Sequence, residues 1–142
     1  RLMAYATLAD MVSRYGEDEL IGFTATRDQP LDTIDQGKVA SALTTASDQM
    51  DTYLRRRYLV PVASPSASVV QACCAIARYM LAVSSTSTPT DQMRDDRRDA
   101  FKWLSDLNDG RATLDGAIPA NTTDTFSRIA TRPACFHPGR MW

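Results

Sequence analysis

Two short segments near the N-terminus place apolar residues at helical spacing. The first has an apolar stripe with successive spacings of three, one and three residues: Leu8, Met11, Val12 and Tyr15. Thr7 precedes this stripe and Asp10 follows Thr7 by three residues, as in a capping box with Asp in place of Glu or Gln. The pattern predicts a helix from about Leu8 to Tyr15 that ends at Gly16.

The second short segment begins with negative charge. Glu17, Asp18 and Glu19 stand where a helix N-terminus would favour acidic side chains. Leu20, Ile21 and Phe23 then supply an apolar face, and residues 28–30 are typical of a loop. A brief second helix is therefore expected.

The longest stretch of helical periodicity lies between Asp35 and Arg57. Its face-forming positions are spaced by three or four: Val39, Leu43, Ala46, Met50, Tyr53, Leu54 and Arg57. At 1.5 Å per residue such a helix would be about 34 Å long, against a radius of gyration of about 15 Å for a chain of this size. One end is expected to project or to reach the surface, and Pro61 ends the helical run.

Two further helices follow. Residues 64–66 begin one whose body, Val69 to Val83, is apolar on nearly every side, as in the central helix of a bundle. After the polar connector 84–90, an amphipathic helix is predicted from about Asp91 to Asn108, ending at Gly110. The fold class is therefore all-α: a small bundle of about five helices with a long central helix, formed by residues 1–110.

Helical periodicity stops after Gly110, and residues 111–142 are predicted to form an extended, irregular C-terminal arm. From residue 126 onward the arm contains no acidic residue. Its basic and large apolar side chains include Phe126, Arg128, Arg132, Phe136, Arg140 and Trp142. Such a segment suits docking on an acidic or grooved partner, and packing on its own domain is an equally open interpretation.

Composition narrows the function classes. The 142 residues, 44% hydrophobic and 23% charged, are ordinary values for one globular domain. The formal net charge of −1 argues against a strongly basic nucleic-acid footprint over the whole chain. No uninterrupted apolar run approaches 18 residues and no secretory stretch is seen at the start, so we expect a soluble protein that stays inside its cell and makes no membrane contact.

The charged residues are unusually biased, with 14 Arg against 2 Lys and 15 Asp against 2 Glu. Arg is enriched at protein interfaces because its planar guanidinium pairs bidentately and stacks. High genomic GC content would produce the same bias. The bias alone therefore does not identify an interface.

The sequence offers little for catalysis. Its single histidine, His137, lies in the irregular arm, where a catalytic group would lack a rigid support. Cys135 and His137 could in principle join Cys73 and Cys74 around a metal, but vicinal cysteines on a helix point about 100 degrees apart. Reduced cysteines packed as small hydrophobes are the favoured interpretation, so we expect no catalytic, metal or cofactor site and no enzyme activity.

Two charged groups are candidates for partner contact. Asp95 and Asp99 lie one helical turn apart, although interleaved cations favour a solvated, salt-bridged face over a divalent-cation site. Arg55, Arg56 and Arg57, followed by Tyr58, close the long helix. One or two of these arginines could oppose the negative end of the helix dipole, which leaves at least one for a partner.

Four blocks of sequence in the correct order resemble the small neck proteins of Mu-like tailed phages and related prophages. The blocks are Tyr5-Ala6-Thr7 through Leu20-Ile21; Ala42-Leu43 through Arg57-Tyr58 with Pro61; Cys73-Cys74-Ala75-Ile76-Ala77-Arg78-Tyr79; and Ala100-Phe101-Lys102-Trp103-Leu104 with Gly110 and Leu114. Phe126-Ser127-Arg128 resembles the tail motif of these proteins, whereas residues 133–138 do not match it. The resemblance covers residues 5 to about 114.

This resemblance implies a non-enzymatic head-tail adaptor, also called a connector or head-completion protein. It implies a homo-oligomeric ring, typically of twelve copies, in the virion neck beneath the portal protein, assembled in the bacterial host cytoplasm. The implied partners are the portal, neighbouring adaptor subunits and a tail-side stopper or tail-terminator protein. Genomic DNA in the lumen would be contacted weakly at most.

In such a ring, the corner at Arg55–Arg57 and the Asp95–Asp99 face are expected to contribute opposite charges to contacts between subunits. The alternative function is a small helical nucleic-acid-binding domain, for which the arginine triplet and the basic arm would be the footprint.

Overall fold

A computed structural model describes residues 3–28 and 30–120, which contain five α-helices and confirm the all-α bundle. The helices are α1 (Leu8–Tyr15), α2 (Glu17–Thr24), α3 (Gln36–Leu54), α4 (Ala67–Ser84) and α5 (Asp91–Asp109). α4 packs most extensively, against α3 and α5, which also contact each other, while α1 and α2 pack against each other and against α4. The fully buried side chains belong to one continuous core.

Three of the five helices, α1, α3 and α5, follow a residue whose side chain accepts from free backbone N–H groups of the first turn. The Asp10 backbone N–H donates to Thr7 Oγ1 at 3.3 Å and the Thr7 N–H donates to Asp10 Oδ2 at 2.8 Å, which confirms the capping box. Asp35 accepts from the N–H groups of Gly37 and Lys38 at 3.0 and 3.2 Å, so it caps α3 and lies just before it.

The long helix α3 ends at Leu54, and the prediction that it continues to Arg57 was wrong. The Leu54 carbonyl accepts from the N–H groups of both Arg57 and Tyr58, at 3.0 and 2.9 Å, which closes the helix with a tight turn. The chain turns here because the Tyr58 ring is buried, 7% exposed, and Tyr58 forms an isolated antiparallel bridge with Pro119. α3 and α5 each have 19 residues, so neither is the longest element.

The central position predicted for the fourth helix is confirmed by its burial. Nine of the 18 residues of α4 are buried, including Cys73, Cys74 and Ile76. The mean hydropathy of α4 is 1.4, so by length and composition this helix could cross a membrane, contrary to the expectation from uninterrupted apolar runs. Its apolar side chains are instead packed against α3 and α5, as in the core helix of a bundle.

Arg78, on α4, joins four helices. Its Nε and Nη2 donate to Glu19 Oε1 on α2 at 3.2 and 2.5 Å, and its Nη1 lies 3.7 Å from Asp96 Oδ2 on α5. The guanidinium carbon also lies 4.3 Å from the ring centroid of Tyr15, the last residue of α1. The side chain is only 17% exposed, so these contacts form in a poorly solvated position.

A buried polar network ties the N-terminal segment to α3. The Tyr5 backbone N–H donates to Ser47 Oγ at 2.9 Å, the Tyr5 hydroxyl donates to Asp51, and the same hydroxyl accepts from the Val62 N–H at 3.1 Å. Burial raises the pKa of Asp51 above its usual range, although the Tyr5 hydrogen bond and the Arg55 charge act in the opposite direction.

The residues that follow α5 return to the end of α3. Leu114 is buried and its N–H donates to the Tyr58 hydroxyl at 3.0 Å. The Leu59 N–H donates to the Ile118 carbonyl and the Ala120 N–H to the Arg57 carbonyl, both at 2.8 Å. Residues 114–120 therefore cover the C-terminal end of α3.

Replacing Arg78 with Met is expected to lower the free energy of unfolding by about 2–3 kcal/mol, because it leaves Glu19 partly buried without its cation. Arg98→Met is the matched control, since Arg98 is 73% exposed and its ion pair with Asp95 should contribute less than about 0.5 kcal/mol. Urea denaturation of both variants measures the difference. Equal effects of the two substitutions would contradict a structural role specific to Arg78.

Asp51→Asn is expected to become more stable relative to the wild type as the pH rises from about 4 to 7. The folded wild type binds the Asp51 proton more tightly than the unfolded chain, so it loses stability as the pH rises from the ordinary pKa of 3.8 through the higher folded pKa. The variant has no titratable group at residue 51, and its side-chain amide oxygen still accepts from the Tyr5 hydroxyl. Urea denaturation across this pH range tests the prediction, and a constant difference between the two proteins would contradict it.

Candidate functional site

The predicted contact residues fall on three parts of the chain. We call Arg55, Arg56 and Arg57 the arginine corner. The predicted contacts Asp95 and Asp99, together with Asp91 one turn earlier, are called the acidic face of α5. Phe126, Arg128, Arg132, Phe136, Arg140 and Trp142, as well as Cys135 and His137, lie outside the described residues. The geometry can therefore be given for the first two groups.

The three arginines of the corner have different environments. Arg57 Nη1 donates to the Leu107 carbonyl in the last turn of α5 at 3.2 Å. Its guanidinium lies against Gly110, where an added Cβ would come within 2.7 Å of Nη1 and the φ angle is +81°. Arg57 thus stabilises the C-terminal end of α5, a contact with a different helix that the sequence did not indicate.

Arg55 and Arg56 are exposed, whereas Tyr58 is used inside the fold. The Tyr58 ring is buried and its hydroxyl accepts from Leu114. Two exposed apolar side chains, Leu59 at 52% and Ile118 at 56%, belong to the segments that are hydrogen-bonded together beside the corner. The outward surface at this end of the bundle therefore combines two guanidinium groups with apolar area.

The acidic face of α5 contains local ion pairs. Arg98 Nη2 lies 2.9 Å from Asp95 Oδ1 and Arg94 Nη1 lies 3.1 Å from Asp91 Oδ1, each pair spaced three residues apart on exposed helix surface. This arrangement fits the prediction of a solvated, salt-bridged face. Asp99 is exposed one turn further along the helix.

The acidic face lies in the first half of α5, and the arginine corner lies beside its last turn. Arg57 contacts Leu107, whereas Asp95 precedes Leu107 by 12 residues, a rise of about 18 Å along the helix. The arginine corner and the acidic face therefore cannot neutralise each other within one subunit by direct contact.

A groove of about 530 Å³ lies between α1, α4 and α5, and sequence reasoning did not predict it. We call it the α1–α4–α5 groove. It is lined by Arg14, Tyr15, Ser68, Gln71, Ala72, Ala75, Asp96, Asp99, Ala100 and Trp103. Burial raises the pKa of Tyr15 to about 12, so its hydroxyl remains protonated at neutral pH. The groove arises because α4 presents small residues where α1 and α5 diverge, which is a property of packing and not of one motif.

Cys73 and Cys74 are the described residues that the sequence offered for a metal site. In residues 3–28 and 30–120, no three His, Cys, Asp or Glu side chains are close enough to hold a metal ion. Cys73 and Cys74 are fully buried, and burial raises the pKa of Cys74 to about 12. Thiols in this state are poor nucleophiles and pack as small hydrophobes.

Comparison with known proteins identifies related sequences over most of the chain. Residues 5–130 match the sequence profile of a family described as Bacteriophage Mu, Gp36. The Mu-like prophage FluMu protein gp36 of Haemophilus influenzae is 37% identical over 82 residues, which are 58% of this chain and 56% of that protein. Gene product J of Escherichia phage Mu is 31% identical over 112 residues, which are 77% of this chain and 74% of that protein. The matched stretch thus spans little more than half of the Haemophilus protein.

Arg57→Ala is expected to lower the free energy of unfolding by about 1–2 kcal/mol, because the last carbonyls of α5 lose a charged donor. Arg56→Ala removes the same side chain from an exposed position and should change stability by less than about 0.5 kcal/mol. Thermal or urea unfolding of the two variants checks the difference. A larger loss for Arg56→Ala would contradict this division of roles.

Proposed function

The chain belongs to the bacteriophage Mu gp36 family, and from that premise we propose that it is a head-tail adaptor. It forms a homo-oligomeric ring in the neck of the virion, beneath the portal protein, and joins the capsid to the tail. The role is structural and requires no cofactor.

The observation that carries this proposal is the separation of the two charged surfaces along α5. Subunits in a closed ring meet through two different faces that are repeated around the symmetry axis. The arginine corner lies beside the last turn of α5, and the residues of the acidic face precede Leu107 by a rise of about 12 to 24 Å. This separation suits head-to-tail contacts, because the two surfaces do not meet within the same subunit.

The surface at the arginine corner has the composition of an interface. Arg55 and Arg56 are exposed, and Leu59 and Ile118 add apolar area beside them. Protein interfaces are enriched in Arg relative to Lys and are most apolar at their centre. An acidic helix face bordered by apolar side chains is a suitable partner for this surface.

The adaptor role also implies partners outside the ring. We propose the portal protein on one side and a tail-side stopper or tail-terminator protein on the other, with twelve subunits in the ring. The arm residues from Phe126 to Trp142 remain predicted contacts of the assembled neck. The formal net charge of −1 suits a lumen that lets DNA pass without tight binding.

Arg55→Glu combined with Arg56→Glu is expected to abolish ring formation on portal-bearing heads, because like charges would then face each other across the subunit contact. Adding Asp95→Arg and Asp99→Arg to the same chain should restore ring formation by exchanging the two charges. Electron microscopy of the heads counts particles with a ring. Unchanged assembly of the first variant would contradict the proposed contact.

Arg27→Glu combined with Lys38→Glu is the matched control. It makes the same change in net charge at the exposed turn before α3 and in its first turn, at the opposite end of α3 from the arginine corner. This control is expected to assemble normally.

Binding to duplex DNA at about 0.15 M salt distinguishes the alternative function. Tight binding by the wild type that is lost in the Arg55 and Arg56 variant would favour a nucleic-acid-binding domain.

A further inference from the structure

The α1–α4–α5 groove has the features of a docking site for a peptide segment. Its base is formed by small side chains of α4, including Ala72 and Ala75, and aromatic rings stand at its sides, Tyr15 on α1 and Trp103 on α5. Its volume of about 530 Å³ falls within the ~300–1,000 Å³ typical of ligand pockets.

The α5 side of the groove offers a carboxylate to a basic group of an occupant. Asp96 and Asp99 line the α5 side, and Asp96 already has Arg78 as a neighbour at 3.7 Å. Asp99 is exposed at the groove and offers a carboxylate to an incoming cation. Arg14 lines the α1 side, so the acidic contribution comes from the α5 side alone.

The described chain ends within reach of this groove. The hydrogen bond from the Ala120 N–H to the Arg57 carbonyl holds residue 120 beside Arg57, and Arg57 in turn contacts Leu107 on α5. Trp103 lies four residues before Leu107 on the same helix, a rise of about 6 Å. The six residues from Ala120 to Phe126 span up to about 20 Å when extended, which is enough to bring Phe126 to the groove.

The sequence beyond residue 120 matches the chemistry of the groove. From residue 126 to residue 142 it has three arginines and no acidic side chain. Its aromatic residues are Phe126, Phe136 and Trp142. Arginine pairs with carboxylates and stacks on aromatic rings, and the groove presents both.

We propose that, in the unassembled subunit, the segment 126–142 of the same chain docks along the α1–α4–α5 groove, with an arginine beside Asp99 and one aromatic side chain between Tyr15 and Trp103. This arrangement would cover apolar side chains of the arm that would otherwise face solvent before assembly. The proposal does not depend on the adaptor role, because it concerns a contact within one chain.

Cys135 provides a direct test, since it lies in the proposed occupant and the other two cysteines are fully buried. A cysteine introduced at the exposed groove residue Gln71 (Gln71→Cys) can be joined to Cys135 with a short bismaleimide cross-linker. We expect a cross-linked monomer on a denaturing gel, formed on the order of tenfold faster than in the control because docking raises the effective concentration of the two thiols.

The control is Ser41→Cys, which places an equally exposed thiol on α3, away from the groove and still within the extended reach of residue 135. Adding Asp99→Lys to Gln71→Cys should slow the cross-link several-fold. Equal rates for Gln71→Cys and Ser41→Cys, no cross-link at residue 71, or cross-linked dimers in place of monomers would each overturn the proposal. These readouts use the isolated chain, so they are separate from any result on ring assembly.

Discussion

The arrangement of the bundle depends on the position of Arg78 between four helices. α1 and α2 have eight residues each, too few to be stable helices on their own, so their position must come from tertiary contacts. Arg78 provides two of these contacts, the ion pair with Glu19 on α2 and the stacking on Tyr15 at the end of α1. The same guanidinium is near Asp96 on α5, so it also fixes the two sides of the α1–α4–α5 groove relative to each other.

The arginine corner depends on a second set of contacts, made by residues far apart in sequence. Arg57 donates to Leu107, and the Tyr58 hydroxyl accepts from Leu114, so the turn after α3 is held by the end of α5 and by the residues that follow it. Holding Arg57 and Tyr58 inward leaves Arg55 and Arg56 outward. The inward positions of Arg57 and Tyr58 therefore set the orientation of Arg55 and Arg56.

The sequence predicted those features that are encoded locally. The capping box at Thr7 and the end of α5 at Gly110 were found because their signals lie within a few residues of the helix ends. The end of α3 was misplaced because it is set by burial of Tyr58 and its bridge to Pro119, 61 residues later. The contacts of Arg78 and the α1–α4–α5 groove were also not predicted. Each is formed by several helices, and helical periodicity does not reveal how helices lie relative to one another.

The structure gives several of the chain's arginines a role within the subunit. Arg57 and Arg78 use their forked guanidinium groups inside the subunit, and Arg97 lies over the rings of Tyr79 and Phe101 at 4.9 and 4.8 Å. Lysine would not reproduce the two-nitrogen contact of Arg78 with Glu19 or the planar stacking of Arg97 on two rings. The bias in composition is therefore explained in part by packing, and an interface must be argued from individual arginines. Arg55 and Arg56 are the candidates for such an argument, because they are exposed, adjoin the partly buried Arg57 and the buried Tyr58, and lie beside apolar surface.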